Sequence, residues 1–375
     1  MNILVDGRTW SNYGAGVSTF FTCAILEWAR QKQQDTFYII LPKGLDPRVE
    51  LNTPYKNIIL LNYAKIRLKK IPNIFILQVL VPYLCNKLKI DLYYSPVPHL
   101  PFFIPSRTKK MVTIHDVVNL EMSETMSWTN RLATSYFFGK AVKTADFLWT
   151  NSHYTKSKVE EYFPHRLSHD IFVGDAADES LYYPRDFSFE QKETIRKKYG
   201  VKGPFILFVG SLEPRKNLRF LLELMPNLYQ KHRIQLVVVG GKGWKNSDIR
   251  KTIESPLFPQ ESTIFCGYVS NQELTELYNT ADCFVSAALM EGFGMPQLEA
   301  LKCGCPIVTA HNTAMIEIAS GKDGAVTIEG YNHQNWEEMI VRTIQERPSV
   351  VQDQLKEYNW GKIIRNLTTK LDTLR

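Results

Sequence analysis

Two carboxylates, Glu291 and Glu299, bracket the glycine-rich stretch Gly292-Phe293-Gly294-Met295-Pro296. The apolar run at 282–287 before them predicts a buried strand. Pro296 stands where a helix can begin, because the first helical residues have no use for their N–H groups. Gly304 stands where that helix would stop. A strand, a loop that must approach something closely and a helix whose positive end faces the same spot suit an anion or a polyhydroxylated ligand. Arg215 and Lys216 are placed similarly, after the apolar run at 205–209 and the turn Gly210-Ser211-Leu212-Glu213-Pro214, with a helix predicted from near Asn217. Adjacent cations beside a helix N-terminus would neutralise a diphosphate whose charge grows as a bond to it breaks; the alternative is an exposed surface pair. His115-Asp116 terminates the predicted strand at 111–114. Either the pair meets a ligand there, with a histidine that titrates near neutrality, or Asp116 caps the following helix. Asn151-Ser152 follows the run at 147–150, where capping of a helix at 154–162 and ligand contact are both open.

The elements that must position these residues follow from the alternation of short apolar runs with amphipathic stretches. Strands are predicted at 2–6, 36–42, 57–62, 91–95, 110–114, 147–151 and 170–174, then at 204–209, 234–240, 263–266, 282–287, 305–309 and 324–328. Such alternation predicts parallel sheets covered by helices. A chain of 375 residues is too long for one ordinary core. The expected fold is therefore α/β, with two Rossmann-like doubly wound domains facing a central cleft. The strand pattern stops near 175–185, where small, acidic and turn-forming residues take over. Open α/β sheets bind ligands at the carboxyl ends of their strands, so the cleft is expected to hold the ligand.

Composition narrows the partners. The chain is 44% hydrophobic and 22% charged, as soluble globular proteins are. A net charge of +7 admits a phosphorylated ligand or an anionic membrane face but makes no case for nucleic acid. Residues 1–183 hold 21 Lys/Arg against 16 Asp/Glu, so most of the excess lies in the first half. No apolar run is long enough to span a bilayer, and the N-terminus reads as a strand, not a signal peptide. Six cysteines without paired spacing indicate a reduced, cytoplasmic protein. The loop Gly14-Ala15-Gly16 is an imperfect match to a dinucleotide fingerprint, since Thr19 takes the third glycine position. Between Tyr63 and Ile90, the basic residues Lys65, Arg67, Lys69 and Lys70 precede an apolar helix pattern. That segment reads either as a core helix with a solvated basic lead-in or as a surface resting on anionic lipid.

Taken together, Gly210-Ser211-Leu212-Glu213-Pro214-Arg215-Lys216-Asn217 and the element from Glu291 to Glu299 resemble the retaining GT-B glycosyltransferases of family 4. The Gly14-Ala15-Gly16 loop, His115-Asp116, Asn151-Ser152, the linker at 173–184, Gly267-Tyr268-Val269 and Tyr358-Asn359-Trp360 agree with the family in order. The linker departs from it, with Asp175-Ala176-Ala177-Asp178 where an asparagine-glycine turn is usual. Lys242 and Trp244 stand where small or acidic residues are common.

The resemblance implies transfer of a hexose, mannose favoured, from a GDP- or UDP-linked donor, with retained configuration and no metal or other cofactor. The absence of any Asp-x-Asp fits a metal-independent site. The resemblance assigns catalytic roles to His115, Arg215, Lys216 and Glu291. Substrate contacts fall to Gly14, Gly16, Asp116, Ser152, Ser211, Val269, Gly292, Phe293, Gly294 and Glu299, with Glu299 holding the ribose. It implies an acceptor-side domain over 1–183, with the helix at 358–375 packing back on it, and a nucleotide-sugar domain over 184–357. The implied acceptor is a glycan or lipid-linked oligosaccharide of surface polysaccharide or lipopolysaccharide synthesis, at the inner face of the plasma membrane. A sugar-nucleotide epimerase or a non-catalytic nucleotide-sugar binder could use the same residues.

Overall fold

The structure is a computed structural model that describes residues 1–11, 16–46, 55–63, 73–121, 128–166, 170–241 and 247–373. Gly14, the basic run at 65–70 and the residues at 242–244 lie outside them. In chain order the first half forms β1 (Asn2–Asp6), α1 (Gly16–Gln31), β2 (Thr36–Leu41), β3 (Ile58–Asn62), α2 (Asn73–Lys87), β4 (Leu92–Ser95), β5 (Lys109–Ile114), α3 (Val118–Glu121), α4 (Trp128–Thr144), β6 (Phe147–Thr150), α5 (His153–Tyr162) and β7 (Ile171–Val173). The second half forms α6 (Phe189–Lys198), β8 (Phe205–Val209), α7 (Leu218–His232), β9 (Gln235–Val239), α8 (Ser247–Ile253), β10 (Thr263–Gly267), α9 (Asn271–Thr280), β11 (Cys283–Ser286), α10 (Met295–Lys302), β12 (Ile307–Ala310), α11 (Met315–Ala319), β13 (Ala325–Ile328), α12 (His333–Glu346) and α13 (Trp360–Asp372). Each predicted strand appears, displaced by two residues at most at either end.

Two compact units result. The first takes Met1–Ala176 with Tyr358–Arg375, the second Ala177–Glu357. The division falls between Ala176 and Ala177, ahead of the expected boundary after Tyr183. The reason is local: Tyr182 packs its ring on Tyr278 of α9, 6.0 Å between centroids, so the linker end belongs to the second core.

Unit 1 is built on a sheet of order β3-β2-β1-β4-β5-β6-β7, and its paired strands are parallel. Strands of a parallel sheet are covered on both faces and so read as continuous apolar runs, as Leu92-Tyr93-Tyr94-Ser95 and Phe147-Leu148-Trp149-Thr150 do here. An aromatic cluster joins α1 to α13: the Phe20 ring lies 4.9 Å from Trp149 and 5.3 Å from Trp360. Ile363, Ile364, Leu367 and Leu371 continue that buried face of α13, each contributing about 1.5–3 kcal/mol by leaving water. Gln31 fixes the register by donating to the Gly361 carbonyl at 2.8 Å.

Unit 2 has the order β10-β9-β8-β11-β12-β13, and its paired strands are also parallel. After building outward from β8 to β10 the chain returns to place β11 on the other side of β8. The loops after β8 and β11 thus diverge at the topological switch point, where open α/β sheets open a crevice. Gly240, at the end of β9, lets the β8 loop lie down. A Cβ there would stand 1.9 Å from the Gly210 carbonyl oxygen, at a φ of +148° that disfavours any side chain. Gly240→Ala is therefore expected to cost about 3 kcal/mol or more, read as a lowered denaturant midpoint; an unchanged midpoint would contradict this packing.

Candidate functional site

The loops at the unit 2 switch point are pinned to each other. Gly210 N–H donates to the Val239 carbonyl at 2.9 Å and Leu212 N–H to Gly241 at 3.3 Å, so the β8 loop runs across the end of β9. Pro214–Lys216 forms a single 3-10 turn, and Asn217, left-handed at φ 52°, redirects the chain into α7. Asparagine tolerates that conformation better than most residues. From the β11 side, Leu289 N–H donates to the Arg215 carbonyl at 2.7 Å. Asn312 and Tyr331 both donate to the Ala288 carbonyl, at 3.0 and 3.1 Å. The Glu291 N–H meets Thr313 Oγ1 at 3.2 Å. Thr313 holds a left-handed φ of 47°, which is costly for a β-branched residue and is found where the surrounding structure over-determines it.

This scaffold brings Arg215, Lys216 and Glu291 into one ion cluster. Lys216 Nζ binds Glu291 Oε1 directly. Arg215 Nη1 reaches Glu291 Oε2 at 3.2 Å, while its Nε donates to Glu213 at 2.9 Å. Glu291 and Lys216 are 8% and 9% exposed, so this is a desolvated pair. Burial opposes the Glu291 charge, but Lys216 and Arg215 outweigh it and hold the carboxyl below its ordinary range. The cluster has two cations and two carboxylates. Gly294, at φ +99°, caps α10, with Pro296 in the first turn. Gly304, at φ +78°, ends it by donating to Leu301 at 2.9 Å.

Glu299 lies on the same helix in a different environment. Tyr278 donates its hydroxyl to Oε2 at 2.9 Å. Burial pushes its carboxyl up to about 7, against the hydrogen bonds of Tyr278 and Tyr182 and with help from Asp178. The implied ribose carboxylate is therefore partly protonated at neutral pH. If it accepts ligand hydroxyls only when ionised, affinity for a nucleoside diphosphate should rise about tenfold per pH unit below 7 and level off above it. Glu299→Gln should flatten that profile, and a sloping profile in the variant would rule Glu299 out as its origin. The sign for folding is opposite. A carboxyl raised above its unfolded value stabilises the fold at acid pH, and that contribution is lost as pH rises through about 7.

Of the other expected residues, Ser211, Gly292, Phe293 and Gly294 lie on these two switch-point loops, and Val269 follows β10. The rest are in unit 1. His115 Nε2 is bonded to the Pro96 carbonyl at 2.9 Å and its ring lies edge-on to Phe20, 4.8 Å between centroids. Burial holds it down to about 4, against the Pro96 hydrogen bond. The ring is thus neutral, its Nε2–H donates to Pro96, and Nδ1 is left as an acceptor. Asp116 Oδ1 accepts the Val118 N–H at 3.2 Å, the capping alternative for this residue. Ser152 is 1% exposed, and its Oγ accepts the Thr155 N–H at 3.0 Å as the N-cap of α5, the capping alternative for this residue. Gly16 opens α1.

Sequence reasoning missed Glu213, Tyr278 and Thr313 as partners of this site. It also missed Asp6 and Arg8, which form a forked pair at the end of β1 with nitrogen–oxygen distances of 2.6–3.0 Å. Asp6 ends a buried strand in the manner of His115-Asp116, and that signal was available.

Residues 191–359 match the family described as "Glycosyl transferases group 1". Over that span the chain is similar to this family, and its two parallel-sheet α/β units have the GT-B fold of the solved structures it resembles. Among curated relatives, the O-antigen chain mannosyltransferase B of Escherichia coli is 29% identical over 233 residues, 60% of each chain. The serotype-specific mannosyltransferase WbdA of Escherichia coli is 28% identical over 182 residues, 48% of this chain and 22% of the relative. The chain thus matches less than two thirds of the length of these relatives. Anabaena Alr3699/HepE, solved in complex with UDP-glucose, is 15% identical and covers 100% of both chains with a TM-score of 0.77; at that identity the likeness concerns the fold.

Proposed function

We propose that the chain is a retaining, metal-independent hexosyltransferase, with mannose the favoured sugar and GDP or UDP the carrier. The observation that carries this reading is the Arg215–Lys216–Glu291 cluster at the unit 2 switch point. A diphosphate arriving there takes over Lys216 and Arg215 as counter-ions and frees Glu291 to meet the sugar. The bond between the anomeric carbon and the phosphate oxygen breaks with its electron pair going to the diphosphate, where the two cations stabilise the growing charge. The acceptor hydroxyl oxygen attacks the same face of the oxocarbenium-like centre, and its proton passes to the departing phosphate oxygen. Backbone N–H groups at Gly292–Gly294 suit the sugar and phosphate oxygens, Val269 the base and Glu299 the ribose. His115, neutral, offers Nδ1 to a sugar hydroxyl.

The proposed acceptor is a glycan or lipid-linked oligosaccharide of surface polysaccharide synthesis, in keeping with the names of the mannosyltransferase relatives. Peripheral contact with an anionic membrane is supported by α2, which turns Phe75, Val79 and Tyr83 to solvent at 61%, 75% and 55% exposure and carries no acidic residue. Among the described residues no helix is long and apolar enough to cross a membrane. Sedimentation with phosphatidylglycerol vesicles should fall several-fold in Phe75→Glu/Val79→Glu; equal sedimentation would remove the membrane contact.

A panel of nucleotide sugars, scored for nucleoside diphosphate release with and without lipid-linked acceptor, tests the activity. Release that requires acceptor is expected, fastest with GDP-mannose. Conversion of a donor without acceptor would replace transfer by epimerisation, and no turnover of any donor would leave only a binding protein.

A further inference from the structure

Two tyrosines from separate elements of unit 2 meet the Glu299 carboxylate. Tyr278 of α9 donates to Oε2 at 2.9 Å, and Tyr182, from the segment that leads into α6, supplies a second hydrogen bond. Both are buried, with their rings edge-on 6.0 Å apart. Phe284 of β11 backs Tyr278 at 6.0 Å, so packing fixes the position of that hydroxyl. The segment around Tyr182 is clamped on either side of it. Before it, Glu179 binds Lys302 Nζ at 2.7 Å, and Lys302 is a buried lysine of α10, on the same helix as Glu299. After it, Arg185 N–H donates to Asn279 Oδ1 at 2.6 Å, and Asn279 adjoins Tyr278 on α9. Between the clamps, Tyr182 N–H donates to the Asp178 carbonyl at 2.9 Å and Ser180 N–H to Asp178 Oδ1 at 2.9 Å, closing a turn.

A carboxylate that accepts ribose hydroxyls has to be both ionised and aimed. Hydrogen bonds to the charged form favour ionisation, and burial opposes it. Burial and Glu299 together push the Tyr278 hydroxyl well above its ordinary range, so it stays a donor. Of the other groups acting on Glu299, Asp178 opposes its charge and Lys216 favours it, less than either tyrosine does. Cys303, beside it on α10, is held neutral by burial and by Glu299. We propose that Tyr182 and Tyr278 are positioning residues for the nucleotide: their hydroxyls hold the Glu299 carboxylate toward the ribose, and the clamped segment 178–185 is thereby part of the donor site. Each tyrosine acts through Glu299, so the proposal rests on the assignment of Glu299 to the ribose.

Calorimetric titration of GDP and UDP between about pH 6 and pH 9 tests it, on wild type, Tyr182→Phe, Tyr278→Phe and Glu299→Gln. Removing either hydroxyl should move the midpoint of the affinity profile up by about one pH unit. At pH 7 that shift weakens binding about fivefold, and at pH 9 it leaves affinity within about twofold of wild type, because Glu299 is then ionised in all three chains that carry it. The 2′,3′-dideoxy analogue of the tighter nucleotide offers Glu299 no hydroxyl and should bind wild type and both tyrosine variants alike. A tyrosine that serves only the fold would weaken binding by one factor at every pH, for the dideoxy analogue too. That result, or a sloping wild-type profile that neither Tyr182→Phe nor Tyr278→Phe displaces, would overturn the proposal. A shift in Tyr278→Phe alone would overturn it for the clamped segment. A flat wild-type profile, or a slope that persists in Glu299→Gln, would remove the ribose role of Glu299 and the proposal with it.

Discussion

Lys216→Ala is expected to lower glycosyl transfer by about 10²- to 10³-fold, the usual effect of removing a preorganised group from a developing anion. The side chain is 9% exposed and its amine contacts only Glu291 among the described carboxylates. Alanine leaves Glu291 with Arg215 alone at 3.2 Å, so the carboxylate stays half neutralised and the unit stays folded. The loss should fall on turnover more than on donor affinity, because charge on the bridging oxygen is greatest in the transition state. Wild-type turnover at a lowered thermal midpoint would make Lys216 a structural counter-ion and nothing more.

Glu291→Gln should separate binding from chemistry. Glu291 competes with any incoming phosphate for Lys216 and Arg215. Neutralising it removes the competitor, so a nucleoside diphosphate should bind about tenfold more tightly, an effect of roughly 1.4 kcal/mol. Turnover should nevertheless fall, since the group proposed to face the sugar is gone. The fold loses stability as well: breaking a buried ion pair on one side costs about 3–5 kcal/mol. Tighter nucleotide binding in a less stable, slower variant is a combination that a purely structural ion pair would not produce. Calorimetric titration, a melt and a rate together decide it.

Much of the architecture was legible beforehand, for a physical reason. Parallel strands buried on both faces, such as Phe205-Ile206-Leu207-Phe208-Val209, are apolar without interruption and end abruptly in polar or glycine-rich turns, so their ends mark themselves. The residues after those ends, Arg215, Lys216 and Glu291, were legible for the same reason. Their mutual contact was not, because it depends on β11 lying beside β8, a pairing between segments 75 residues apart in sequence. Nor was the raised pKa of Glu299, which follows from its burial and outweighs the hydrogen bonds of Tyr278 and Tyr182. Ser152 shows the reverse: its type and place suited two roles, and only the 3.0 Å bond to the Thr155 N–H distinguished the cap.

The central claim, that Arg215 and Lys216 hold a diphosphate, is tested most directly by comparing nucleoside, nucleoside monophosphate and nucleoside diphosphate by calorimetry on wild type and Lys216→Ala. The wild-type chain should bind the diphosphate at least tenfold more tightly than the monophosphate, and the variant should lose that advantage while keeping its affinity for the nucleoside. Equal affinities for all three in the wild type, or an undiminished diphosphate preference in Lys216→Ala, would contradict it.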